Sequence, residues 1–399
     1  MASNAYFKQQ QKCSIVLLIL NGFALFAVNS PLLVKASGIS AEYEKFSESF
    51  FYEENQHRSE ENIVIPPFAM QSFEALIKLG FCDEPELPDE NFNEIMNEVR
   101  KSNSVRMNYD VYIPEGSELA ASTLAIIEKA FPTTFKYVDE SNSWMMDAIQ
   151  AHLNNLKWFE EITGAKQTPS GTLVQCDTNV TTDWLKPFDP KHTKDGEFHT
   201  ENAPITVPFM HQEGTYRMCE RDDLNAKIIE MPLNDENLAM WVYLPKEKDG
   251  MDELEEKLKI ESLTNIDSSM NEQQVEVRLP KFHDSFEMDL DQELAKTDIE
   301  YALSNTGEKT EAKVERPIMK LRTNIAMTES LDSEEHYHIM QRDVAGAPEL
   351  PSESAGCAEF DAAHPFIYHL VHKDKMNGQI LPIIIGSFKN LNININLPK

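Results

Sequence analysis

The polar and apolar residues of this chain follow two periods. Val275, Val277 and Leu279 alternate with Glu276 and Arg278, the period-two pattern of a strand buried on one face. Residues 226–231 and 238–244 read as successive strands, with Pro245 ending the second and Lys246-Glu247-Lys248-Asp249-Gly250 turning the chain. Residues 205–210 and 215–218 read as two short strands across a polar turn. Near the end, the apolar runs 366–371 and 380–385 flank Asn377-Gly378, a strong hairpin signal. Helical spacing takes over elsewhere. Phe73, Leu76, Ile77 and Gly80 follow Pro67, a residue suited to the first turn of a helix. Met251, Leu254 and Leu258 form one stripe; Tyr43, Phe46 and Phe50 form another. Residues 145–162 are amphipathic with the same spacing. Strands crowd the second half, and neither an internal repeat nor a Gly/Ser linker divides the chain. The pattern predicts one α+β domain.

One stretch breaks both periods. From Thr328 to Phe366 the residues are mostly small, acidic or proline: Glu329-Ser330-Leu331-Asp332-Ser333-Glu334-Glu335, then Ala345-Gly346-Ala347-Pro348, then Ser352-Glu353-Ser354-Ala355-Gly356. Such a composition buries too little apolar area to offset its ordering entropy. Apolar runs lie on both sides, at 318–327 and 366–371. A loop of this length between two strands is usually functional or disordered.

Charge narrows the classes of function. The 67 acids outnumber 36 Lys and Arg, a net charge of −31, which argues against a nucleic-acid binder because phosphate contacts need a basic face. Lys8 and Lys12 precede an apolar run at 14–28, and Val34-Lys35-Ala36 fits a small-residue cleavage site. Residues 1–36 therefore read as a signal peptide, with the mature domain at 37–399 and secretion as the destination. The apolar run is short for a membrane span. Cys82, Cys176, Cys219 and Cys357 remain after cleavage; they permit three pairings, and free buried thiols suit a domain of this size equally well. Asn179-Val180-Thr181 is a glycosylation acceptor sequence. Phosphate-binding Gly-rich loops, a Gly-x-Ser-x-Gly elbow and a His-Glu-x-x-His pair are all missing, so neither an enzyme nor a cofactor is expected. His336-Tyr337-His338 beside Glu334 and Glu335 reads as a solvated polar loop, and no metal is expected there.

Several landmarks, in this order, resemble the serpin family. They are Asn62-Ile63-Val64-Ile65-Pro66-Pro67, Trp184-Leu185-Lys186-Pro187-Phe188, Val207-Pro208-Phe209-Met210 with Gly214-Thr215-Tyr216, and Leu224-Asn225-Ala226-Lys227. Leu244-Pro245 with Leu254-Glu255-Glu256-Lys257-Leu258, and Val275-Glu276-Val277-Arg278-Leu279-Pro280-Lys281-Phe282, continue the series. Residues 360–370 match the family signature, except that Ala363 stands where Asp, Asn or Gln is usual. The likeness covers roughly 43–388 and is weakest between 83 and 175. It implies three β-sheets, about nine helices and an exposed reactive loop near 329–363. It also implies a mechanism: a serine protease cleaves the loop, becomes acylated, and is carried along as the loop inserts into the main sheet. The implied partner is a serine protease, met by a monomeric inhibitor.

Three departures bear on that mechanism. An inserted strand buries alternate residues, so the front of the loop should hold small uncharged groups. Counting forward from Ile325-Ala326-Met327-Thr328-Glu329 puts Asp332-Ser333-Glu334-Glu335-His336 in this hinge and the bait bond at Ala345-Gly346. Counting back from Pro365-Phe366 puts Gln341, Arg342, Asp343 and Val344 there and the bait bond at Ser354-Ala355. Either way the hinge is charged, and either bond suits a protease with a small specificity pocket. Pro66 replaces a usual Ser, and Cys176-Asp177 stands near a usual Asn. Three classes stay open: a protease inhibitor, a non-inhibitory carrier, storage or signalling serpin, and a substrate-like binder cleaved without trapping.

Overall fold

A computed structural model describes residues 50–56, 58, 60–80, 90–115, 121–138, 169–290, 316–330, 357–374 and 378–391. After a helical segment at 50–56 come β1 (Val64–Ile65), α1 (Pro67–Gly80), α2 (Glu90–Lys101), β2 (Val105–Pro114), α3 (Ala121–Ala130) and β3 (Thr133–Val138). The middle of the chain supplies β4 (Pro169–Thr181), β5 (Lys194–His199), β6 (Pro204–Arg221), β7 (Ala226–Pro232) and β8 (Leu238–Pro245). Then follow α4 (Met251–Leu258), α5 (Leu263–Ser269), β9 (Asn271–Pro280), β10 (Phe282–Asp289) and β11 (Arg316–Met327). The last strands are β12 (Ala358–Asp361), β13 (Phe366–Lys373) and β14 (Ile380–Phe388). No helix among the described residues is long and apolar enough to cross a membrane.

Among the described residues the strands form two hydrogen-bonded sheets. The larger has nine strands, in the order β1-β14-β13-β8-β7-β6-β9-β12, with β5 paired to β6. The smaller has five, in the order β10-β11-β4-β2-β3. The 18-residue β6 unites what would otherwise be two sheets: its first part pairs with β5, its last part with β7, and β9 lies along it from Phe209 to Met218. This corrects the reading of 205–210 and 215–218 as separate strands. His211, Gln212, Glu213 and Gly214 continue the strand because β9 supplies their backbone partners, from Arg278 to Val275. Polar side chains at a half-exposed edge do not break a strand whose backbone is paired.

The large sheet contains two strands buried along their whole length. Every residue of β8 and β14 is buried. Phe388 meets three rings, Phe282 stacked at 4.3 Å, Phe198 and Phe366, and Tyr368 packs against Phe282 and Phe366 in the same aromatic group. Gly386 lies opposite Tyr368 across the β13–β14 ladder, and a Cβ there would run into the tyrosine ring. A second aromatic chain, Phe73–Tyr109–Phe131–Phe92–Phe68, packs α1 and α2 beneath the small sheet. Of the expected stripes, Phe73 and Leu76 on α1, Met251, Leu254 and Leu258 on α4, and Val275, Val277 and Leu279 on β9 are all buried, while Tyr43, Phe46 and the 145–162 stretch lie outside the described residues. Gly378 takes a φ of 72°, the left-handed backbone that a tight turn between β13 and β14 needs. Its partner Asn377 lies outside the described residues.

Candidate functional site

The small sheet positions the head of the long loop. β11 runs parallel to β4, while the strands on either side, β10 and β2, run antiparallel to them. At the end of β11 the chain is pinned twice. The indole N–H of Trp184 donates to the carbonyl of Thr328 at 2.7 Å. The Thr182 hydroxyl donates to the same carbonyl at 3.1 Å and accepts from the Thr328 N–H at 3.0 Å. One residue on, the buried Glu329 carboxylate meets the Lys281 ammonium at 2.6 Å and accepts from the Thr193 hydroxyl at 2.9 Å. The Phe188 N–H donates to the Glu329 carbonyl at 3.0 Å. Burial alone would raise the Glu329 pKa, but the hydrogen bonds from Lys281, its own backbone and Thr193, with the Lys281 charge, hold it below the ordinary glutamate value.

The far end of the loop is pinned as firmly. β12 lies parallel to β9, with Phe360 fully buried. Arg278 stacks over the Phe209 ring at 3.7 Å and donates to both carboxylate oxygens of Asp361, at 2.7 and 2.9 Å. The Ala362 N–H donates to the Arg278 carbonyl, and the His199 N–H to the carbonyl of Ala363. Between the two anchors, both proposed hinges and both proposed bait bonds lie outside the described residues. That holds for Gln341, Arg342, Asp343 and Val344, for Ser354 and Ala355, and for the forward alternatives at 332–336 and 345–346.

β4 and β11 form a parallel joint within the small sheet. Its two faces differ. On the inner face Leu321 lies opposite Cys176, which lies opposite Tyr109 on β2. Burial pushes the Cys176 thiol up to about 12, so it is an unreactive neutral group. Ser72 of α1 donates to the Ala69 carbonyl and hydrogen-bonds to the Tyr109 hydroxyl. Pro66 itself sits just before α1, its carbonyl accepting from the Met70 N–H at 3.0 Å. On the outer face Arg322 meets Asp177 at 3.5 Å, and Asn324 donates to Asn179 at 2.9 Å.

Sequence reasoning placed Thr328 and Glu329 at the start of the loop but missed the partners of Thr328, which are Thr182 and Trp184, and those of Glu329, which are Lys281 and Thr193. The Lys281–Glu329 pair spans 48 positions, and no local pattern announces it. Asn179 of the acceptor tripeptide sits within β4, half-buried and bonded to Asn324. Cys176, Cys219 and Cys357 are free thiols; Cys82 lies outside the described residues. Among the described residues no group of His, Cys, Asp and Glu is placed to hold a metal ion.

A family model described as "Serpin (serine protease inhibitor)" matches residues 41–381. Antichymotrypsin-2 of Bombyx mori is 27% identical over 265 residues, which is 62% of this chain and 70% of that protein. Two solved structures share the fold. Cleaved Serpin 42Da aligns with a TM-score of 0.63 at 21% identity, covering 89% of this chain and 99% of its own. Uncleaved ovalbumin aligns with a TM-score of 0.64 at 21% identity, covering 88% and 99%.

Proposed function

The chain belongs to the serpin family, and on that premise we propose that it is secreted, offers residues 329–363 as bait to a serine protease with a small specificity pocket, and is cleaved there without trapping the enzyme durably. The observation that carries this reading is the pair of anchors. Thr328-Glu329 and the 358–363 segment are held by buried hydrogen bonds and ion pairs, and the residues joining them are rich in acids, small groups and proline. A loop tethered at both ends and poor in apolar residues is a good protease substrate.

Poor trapping rests on the cost of insertion. A strand entering between β4 and β11 replaces the ladder from Ile318–Leu173 to Ala326–Thr181 and separates Arg322 from Asp177 and Asn324 from Asn179. Alternate residues of that strand would be buried. With Glu329 fixed as the last anchored residue, the forward count brings Asp332, Glu334 and Glu335 into the front of the strand; the backward count brings Arg342 and Asp343. Each unpaired charge taken out of water costs several kcal/mol. The bait bond is Ala345-Gly346 in the first count and Ser354-Ala355 in the second. Removal of residues 1–36 on export leaves 37–399 as the working domain.

Incubation with an elastase-type protease, followed by a denaturing gel, tests the reading. The expected products are a cleaved serpin and free, active protease. A complex with the protease that survives denaturation would return the chain to the trapping inhibitors. Resistance of the loop to every serine protease tried would favour a carrier or storage role.

A further inference from the structure

Asn179-Val180-Thr181 places a threonine two positions after an asparagine with no proline between, the acceptor pattern for N-linked sugar. The tripeptide lies within β4, which pairs with β11 on one side and β2 on the other; Asn179 itself stands opposite Asn324 and Arg106. Thr178 and Val180 are buried on the inner face. Alternation sends Asn179 to the outer face, where it is half-buried between half-buried Asn324 and exposed Arg106.

The Asn324 amide nitrogen donates to Asn179 Oδ1 at 2.9 Å. That bond uses the carbonyl end of the Asn179 amide and leaves out Nδ2, the atom that takes a sugar. Glycosylation forms a bond from Nδ2 to the anomeric carbon of a lipid-diphosphate-linked oligosaccharide. The carbon–oxygen bond to the diphosphate breaks, the diphosphate leaves with its electron pair, and Nδ2 gives up one proton. Oδ1 keeps both lone pairs, so the bond from Asn324 is compatible with the modification. Timing removes the obstacle that a paired strand presents. Asn324 follows Asn179 by 145 positions, which take about 7–30 s to synthesise at roughly 5–20 residues per second. During export β4 therefore meets the sugar transferase before β11 exists to pair with it.

On the premise that the chain is secreted, as proposed above, we propose that Asn179 carries an N-linked glycan, and that this glycan stands over the β4–β11 joint and helps hold it closed. The outer face of the joint is joined by Arg322 with Asp177 at 3.5 Å and by Asn324 with Asn179. A sugar on Nδ2 adds bulk and hydroxyl groups directly beside those contacts. Parting β4 from β11 breaks the Asn324 bond, and the outward side chains of an incoming strand then meet the glycan. The glycan thus adds to the resistance that the charged hinge already sets against insertion.

Secretion of the full chain from cultured eukaryotic cells, followed by peptide mass spectrometry of the exported protein, tests the assignment. The peptide holding Asn179 should carry sugar, and should hold aspartate at 179 after enzymatic release of the glycan. Thr181→Val removes the acceptor and leaves the Asn179 amide in place; Thr181→Ser keeps the acceptor and serves as the control. Amide exchange in β4 and β11 should be severalfold faster in Thr181→Val than in the parent or in Thr181→Ser, with β13 and β14 alike in all three. Asn179→Gln, which also removes the acceptor, repeats the comparison should Thr181→Val fail to fold. Exported protein with a bare Asn179, or exchange in β4 and β11 that is the same with and without the sugar, overturns the proposal while secretion stands. Failure of export, read from an intact Met1 peptide in cell-bound material, overturns the secretion reading and this inference with it.

Discussion

β13 pairs with β14 from Phe366–Phe388 to Lys373–Ile380, and every residue of β14 is buried. β11 pairs with β4 over a ladder of similar length, yet Lys320, Arg322 and Asn324 on one strand and Asp177, Asn179 and Thr181 on the other face outward. The first pair has protein on both faces; the second has it on one. In the first, parting the strands would expose apolar surface on two sides. In the second, the outer face contributes only cross-strand polar contacts, each on the order of 0.2–1 kcal/mol. Resistance to opening the small sheet therefore concentrates at the end of β11, in the Trp184–Thr328 and Lys281–Glu329 contacts, rather than along its length. One sheet is a fixed support. The other carries a joint whose stability is set by a few residues at its rim.

The largest predicted effect falls on that rim. Glu329→Ala removes the carboxylate that faces Lys281 in a buried site, at a cost of about 3 kcal/mol. Denaturant unfolding should show the loss. Amide exchange should quicken in β11 and β4 while β13 and β14 stay protected; equal quickening in both sheets would remove the contrast between them. Acid should mimic the change. The Glu329 pKa is held below its ordinary value, so the stability it gives is present above the unfolded value and is lost as pH falls through the folded one.

Gly386→Ala tests the other side of the contrast. The new methyl meets the ring of the fully buried Tyr368, and overpacking in a core with no free face costs about 2–3 kcal/mol. Melting temperature should fall, with the rate of loop cleavage below the transition unchanged. Faster cleavage would mean that the two sheets are not separable in this way.

A smaller effect concerns the support beneath β14. Glu255 on α4 accepts from Asn55 of the helical 50–56 segment, and the Lys389 ammonium donates to the Asn55 carbonyl at 2.9 Å. Burial pushes the Glu255 carboxyl up to about 7, against the opposing pull of Lys389 and Asn55. A folded-state pKa above the unfolded one means that the native state holds the proton more tightly. Stability contributed by Glu255 should then fall as pH rises from about 4.5 to about 7. Glu255→Gln should flatten that part of the pH profile. A variant with the same slope as the parent would assign the slope to another group.

The contrast between the sheets also explains what the sequence discloses. β8, β13 and β14 are legible because burial on both faces demands unbroken apolar runs. β9 is legible because one wet face imposes alternation. The 211–214 stretch was misread because its polarity reports solvent on one side and says nothing of the β9 backbone beside it. Long-range pairs such as Lys281–Glu329 leave no periodic trace; Glu329 was placed only by resemblance to a known strand end. Asn179-Val180-Thr181 is visible as a tripeptide, whereas its position in a paired strand depends on β11, whose matching segment lies 145 positions away.

The proposed function requires a loop that is easily cut and poorly inserted. The most direct measurement is the melting temperature of the mature chain before and after a single cleavage between residues 331 and 356. A charged hinge predicts little change in the unmodified protein. It also predicts a clear rise after the same cleavage when Asp332, Glu334 and Glu335 are replaced by alanine in the forward register, or Arg342 and Asp343 in the backward one. A large rise in the unmodified protein would contradict the account, because it would mean that the acids enter the sheet without the cost assigned to them.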